Sequence, residues 1–125
     1  MARILVVDPE RDVRSLIADL LASAGHEVHC AADGARALAS LDESPAFDLI
    51  LSDLSMPAIE GIGLYWEIAR RWPHLVSRLV YVTGTIDADS SEYRILLDEG
   101  IPLVLKPFHA EHLLEVVRYA LARQR

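Results

Sequence analysis

The chain has 125 residues, of which 52% are apolar and 25% charged, with 12 Lys and Arg against 19 Asp and Glu. The resulting net charge of −7 argues against non-specific binding to nucleic acid or anionic membranes, which needs basic surface. With no apolar run of about 18 residues, a membrane span is excluded as well.

This length suits one domain with a real core. Met1-Ala2-Arg3-Ile4 leads directly into an apolar run and is too short for a signal peptide. The lone Cys30 excludes an intramolecular disulfide and fits a reducing compartment. It reads as a small buried residue near a strand end. A cytoplasmic chain with no further domain after its last helix is the expectation.

Strand-like and helix-like segments alternate five times. Ile4 to Val7 is a β-branched run. Val13, Leu16, Ile17, Leu20 and Leu21 then recur at helical spacing up to Gly25. Glu27 to Ala31 predicts a second strand. Asp33-Gly34 turns into a helix marked by Ala35, Leu38 and Leu41 and ended by Pro45. Leu49 to Ser52 is a buried strand, and Leu64, Ile68 and Ala69 mark a helix that stops at Trp72-Pro73. Leu79 to Val82 is the fourth strand, and a helix over Ser90 to Asp98 ends at Gly100. Leu103 to Leu105 is the fifth strand, and Leu113, Leu114, Val117, Ala120 and Leu121 mark the last helix.

Alternating β and α units with near-continuous apolar strands predict a parallel sheet covered on both faces. Five such units predict a flavodoxin-like, doubly wound α/β fold, strand order 2-1-3-4-5. In that fold all strands end at one edge, where ligands bind. Asp8, Asp53, Thr83 and Lys106 follow the first, third, fourth and fifth strands there. Met56-Pro57 and Gly61 shape a tight loop beyond Asp53.

Two neighbouring carboxylates repel one another, and a hard cation such as Mg²⁺ relieves that by accepting carboxylate and carbonyl oxygens. Asp8, Asp53 and the Ser55 backbone carbonyl are the candidate ligands, with Glu10 a further acid nearby. Lys106 adds a positive charge and Thr83 a hydroxyl. Together they form a cradle for a transferring phosphoryl group, with Asp53 as nucleophile and phosphoacceptor. Ser55 and Thr85, each two residues past a site residue, are placed to control water access.

Ile4-Leu5-Val6-Val7-Asp8, Asp53-Leu54-Ser55-Met56-Pro57 with Gly61, Val82-Thr83-Gly84 and Lys106-Pro107-Phe108 resemble the receiver domain of two-component response regulators. The resemblance covers essentially the whole chain. It implies phosphotransfer from the phosphohistidine of a histidine kinase or histidine phosphotransfer domain to Asp53, with Mg²⁺. It also implies a switch running through Thr83 to the face of the fourth strand, fourth helix, fifth strand and fifth helix, where a downstream protein or a second copy would bind. A receiver with no output domain, assisting its own phosphorylation and dephosphorylation, is what this implies. Leu64-Tyr65-Trp66, Arg70-Arg71-Trp72-Pro73 and the Val82-Thr83-Gly84 strand end are similar to receivers at the C-terminus of hybrid sensor histidine kinases.

Two positions depart from the family pattern. Pro9 stands where the family carries a second acid, normally a direct metal ligand, so weaker Mg²⁺ binding is expected. Leu103 stands where an aromatic residue often accompanies the switch.

Competing readings are a non-phosphorylated pseudo-receiver acting as an interaction module, and a phosphatase of the haloacid dehalogenase type with Asp8 as nucleophile. A Rossmann nucleotide site is disfavoured, because the loop after the first strand is acidic and lacks a glycine cradle. Other side chains read more plainly. His109 and His112 are surface histidines, and Trp66 and Trp72 are core and helix-end packing. Arg70-Arg71 is a solvated face. His26 and His29, flanking Val28, are expected on one strand face.

Overall fold

A computed structural model describes residues 1–54, 61–84 and 91–123. Five strands alternate with five helices: β1 (Arg3–Val7), α1 (Arg11–Ser23), β2 (Glu27–Ala31), α2 (Gly34–Glu43), β3 (Leu49–Ser52), α3 (Gly61–Arg71), β4 (Leu79–Thr83), α4 (Ser91–Glu99), β5 (Leu103–Leu105) and α5 (Ala110–Ala122). The sheet is parallel throughout, in the order β2-β1-β3-β4-β5. This is the doubly wound flavodoxin-like architecture that the alternating pattern predicts.

Alternation along the strands divides the core in two. Leu5, Val7, Ile50, Leu79 and Tyr81 face α2, α3 and α4, meeting Leu38, Leu41, Leu64, Ile68 and Leu96. Ile4, Val6, Leu49, Leu51, Val80 and Val82 face α1 and α5, meeting Ile17, Leu21, Leu113 and Val117. Both faces are covered, so strands β1, β3 and β4 are apolar at nearly every position.

Local chemistry sets the element ends. Asp33 caps α2, its carboxylate accepting from Arg36 N at 2.8 Å. Gly25, at φ +92°, makes the left-handed turn out of α1 that a side chain would strain. The starts of β1 and β3 are tied together: Arg3 N donates to Asp48 Oδ2 at 2.8 Å, and Asp48 N to Arg3 O at 2.7 Å.

Four expectations need correction or addition. Cys30 is exposed, because β2 is an edge strand whose middle is mostly uncovered. Trp66 is 56% exposed, since Leu64, Tyr65 and Ile68 already supply the buried stripe of α3. Trp72 does pack against the core. His26 and His29 do not share a face, because a separation of three residues places them on opposite sides of a period-two strand. His26 Nδ1 accepts from Ala2 N at 3.1 Å, whereas His29 packs edge-on against Phe47. Finally, Pro73–Arg78 forms a 3-10 helical segment before β4, with Pro73 in the first turn where its missing N–H costs nothing.

Candidate phosphoacceptor site

At the carboxyl edge the sheet's hydrogen bonding runs one residue past three strands. Asp8 N donates to Ala31 O at 3.2 Å, Asp53 N to Val7 O at 3.0 Å, and Lys106 N to Thr83 O at 2.8 Å. The backbones of all three residues are thus pinned to a neighbouring strand before their side chains interact. The Lys106–Pro107 peptide is cis.

Lys106 Nζ lies 2.7 Å from Asp8 Oδ2 and 3.1 Å from Asp53 Oδ2. Asp8 and Asp53 are only 1% and 5% exposed, and Thr83 is fully buried beside them at the end of β4. Burial pulls the Lys106 pKa down. Hydrogen bonds to Asp8 and then Asp53, together with the charge of both carboxylates, outweigh it and hold the ammonium above its usual range. Lys106 therefore acts as a fixed cation here, offsetting one of two adjacent negative charges.

The loop after β1 closes tightly around Asp8. Glu10 N donates to Asp8 Oδ1 at 2.8 Å, and Arg14 Nη1 to the Asp8 carbonyl at 2.7 Å. Arg14 N in turn donates to Glu10 O at 2.9 Å. Glu10 itself is solvent-facing, its Oε1 4.0 Å from Lys106 Nζ, beyond hydrogen-bond reach.

Of the residues singled out in the sequence, Asp8, Asp53, Thr83 and Lys106 come together. Glu10 stays at the rim. Ser55 and Thr85 lie outside the described residues. His109 and His112 are exposed. Arg14 was not anticipated, because helical spacing marks only apolar positions and gives no sign that a side chain returns to a carbonyl six residues back. Beside Lys106 a groove of about 430 Å³ is lined by Val13, Leu16, Gly84, Pro107 and Phe108, with Glu10 at its lip.

Two buried carboxylates form a hard oxygen pair that suits Mg²⁺, which keeps several waters rather than demanding a full protein cage. Among the described residues no third acidic, His or Cys side chain joins them in a metal-holding cluster. Pro9 brings no carboxylate to this donor set, which fits a cation completed largely by water.

A doubly wound domain with two acids and a lysine converging at its carboxyl edge is the architecture of a phosphoryl-accepting signalling domain. The chain belongs to the response regulator receiver domain family, whose model matches residues 4–118. Among relatives, the response regulator protein FleR of Pseudomonas aeruginosa is 34% identical over 98% of this chain and 25% of its own length. The sensor kinase CckA of Brucella abortus is 30% identical over 98% of this chain and 13% of its own. The chain thus spans a quarter or less of these two relatives. The solved structure of the chemotaxis response regulator CheY4 of Vibrio cholerae superposes with a TM-score of 0.84 at 28% identity, covering 96% of this chain and 98% of that one. Receiver domains accept phosphoryl groups in two-component signalling, generally bind Mg²⁺ at the phosphorylation site, and interact with histidine kinases or phosphotransfer proteins and with downstream effectors. Membership of this family sets aside the haloacid dehalogenase reading.

Proposed function

We propose that Asp53 takes a phosphoryl group from the phosphohistidine of a histidine kinase or histidine phosphotransfer domain. The observation that carries this is the Asp8–Lys106–Asp53 bridge, with Nζ 2.7 and 3.1 Å from the two carboxylates at the edge where β1, β3 and β5 end. In the transfer, an Asp53 carboxylate oxygen bonds to phosphorus as the P–N bond of phosphohistidine breaks. The electron pair returns to the imidazole nitrogen.

Lys106 enters as a cation and is placed to exchange a carboxylate partner for a phosphoryl oxygen. Asp8 lies against the same ammonium and balances it before transfer. Asp8 and Asp53 would hold Mg²⁺, which would supply further compensation of the negative charge on the transferring group. Later attack of water on phosphorus releases orthophosphate and restores the carboxylate. The domain thereby assists its own phosphorylation and dephosphorylation without turning over a separate substrate.

The groove beside Lys106, open at the half-exposed Leu16, suits the apolar side of a phosphohistidine-bearing helix. Thr83 sits where it can couple the phosphoryl group to the face of β4, α4, β5 and α5. There Leu97, Leu105 and Tyr119 are exposed for a downstream protein or a second copy. No described helix is long and apolar enough to cross a membrane, and a cytoplasmic setting suits phosphorelay from a kinase. We read these 125 residues as one receiver domain.

The test is intact mass after incubation with a small-molecule phosphodonor and Mg²⁺. One phosphoryl addition, absent in Asp53→Asn, is expected. No addition, or one that survives Asp53→Asn, refutes the assignment. Pro9 favours a second reading, the unphosphorylated interaction module, and absence of both phosphoryl addition and Mg²⁺ binding would establish it.

A further inference from the structure

We infer that Arg14 is the positioning residue of this site, holding Asp8 in the orientation that binds the cation. The inference rests on the Mg²⁺-dependent receiver reading above. It starts from how Asp8 is held. Its N–H donates to Ala31 O, its Oδ1 accepts from Glu10 N, and its Oδ2 from Lys106. Its carbonyl accepts from Arg14 Nη1 at 2.7 Å.

Three of these bonds come from groups that any sequence with a lysine at this place would supply. The fourth depends on one side chain, six residues away at the end of the first turn of α1. It is a charge-assisted bond from a half-buried guanidinium, shorter than a typical N–H···O bond and stronger than a neutral one. The N–H of residue 14 also donates to Glu10 O at 2.9 Å, the first backbone bond of α1, which any residue but proline would make there. The guanidinium therefore adds the one hold on Asp8 that is particular to Arg14.

Pro9 makes this grip matter. It has no N–H to anchor the loop and no carboxylate to share the cation. Asp8 and Asp53 must then bind Mg²⁺ with fewer protein oxygens, and affinity depends more on how well the Asp8 carboxylate is aimed. Residues that orient metal ligands in this way are worth about tenfold or more in affinity.

Sign separates this role from mere proximity. Arg14 is a cation near a cation site. If it acted only through its charge, removing it would tighten Mg²⁺ binding. If it acts by positioning Asp8, removing it weakens binding.

The experiment is calorimetric titration of MgCl₂ into the unphosphorylated full chain, for the parent protein, Arg14→Met and Arg14→Lys, with a thermal midpoint of each in the absence of metal. We expect the Mg²⁺ dissociation constant to rise about tenfold in Arg14→Met, with a midpoint only a few degrees lower. Arg14→Lys keeps the charge but loses the rigid fork, and is expected to rise about threefold. Unchanged or tighter binding in Arg14→Met overturns the inference. Should Arg14→Met not fold, unchanged binding in Arg14→Lys overturns it, because only geometry differs there. Absence of Mg²⁺ binding by the parent protein refutes instead the receiver chemistry on which the inference stands, and the inference with it.

Discussion

With Met in place of Lys106, Asp8 and Asp53 would face each other with only 2% and 7% of their side-chain surfaces in water and no ammonium between them. Removing one partner of a buried ionic cluster costs roughly 3 kcal/mol or more, because the remaining charges stay desolvated. Lys106→Met is therefore expected to lower the unfolding free energy by that order in metal-free buffer. Added Mg²⁺ should recover part of the loss, since a cation between the carboxylates does what the ammonium did and ligand binding to the folded state adds stability. Chemical denaturation with and without Mg²⁺ checks this, and equal losses in both buffers would count against a shared site. The four strand-end residues were legible in the sequence, because each follows an apolar strand and the topology sends all strand ends to one edge. Arg14 was not, because its contact depends on where an exposed-looking helical side chain folds back.

At the scale of elements, the α1–β2 connection carries a pH dependence. His26 Nδ1 accepts from Ala2 N, which requires an unprotonated nitrogen. Burial and then the N-terminal amine hold the His26 pKa below its ordinary value, with Asp48 opposing. The folded state thus takes up this proton less readily than the unfolded chain. Stability from this residue is fully present above the unfolded pKa of about 6.5 and is lost as pH falls from there through the depressed folded value. His26→Asn keeps an acceptor and removes the titration. Its thermal midpoint should fall less than the parent's between pH 7.5 and about 5.5, and parallel curves would place the titration elsewhere.

Element boundaries followed closely from proline, glycine and apolar spacing. What escaped the sequence was exposure. Cys30 looked buried because strand residues usually are, but β2 is an edge, and an edge strand leaves part of one face open. Trp66 looked like core because it is large, but its neighbours Leu64, Tyr65 and Ile68 already fill the stripe that α3 buries.

For the whole molecule, the two apolar layers lie on opposite faces of one sheet, and β1, β3 and β4 contribute side chains to both. Neither layer can dissolve without releasing the strands that form the other, so the domain should unfold as one cooperative unit. The tryptophans make this testable. Trp66 and Trp72 both belong to the α3 side, whereas Leu113, fully buried on α5, belongs to the opposite layer. Leu113→Ala removes buried methyl groups and leaves a cavity, at a cost of about 2–5 kcal/mol. If the layers are coupled through the sheet, tryptophan fluorescence must register that loss in full, although no tryptophan lies near the cavity. Urea curves followed by fluorescence and by far-ultraviolet circular dichroism should move to lower midpoints together, with unchanged slopes. A fluorescence midpoint that stays in place while the dichroism midpoint falls would mean that the layers unfold separately. The strand ends that hold Asp8, Asp53 and Lys106 would then be only as stable as the weaker of the two.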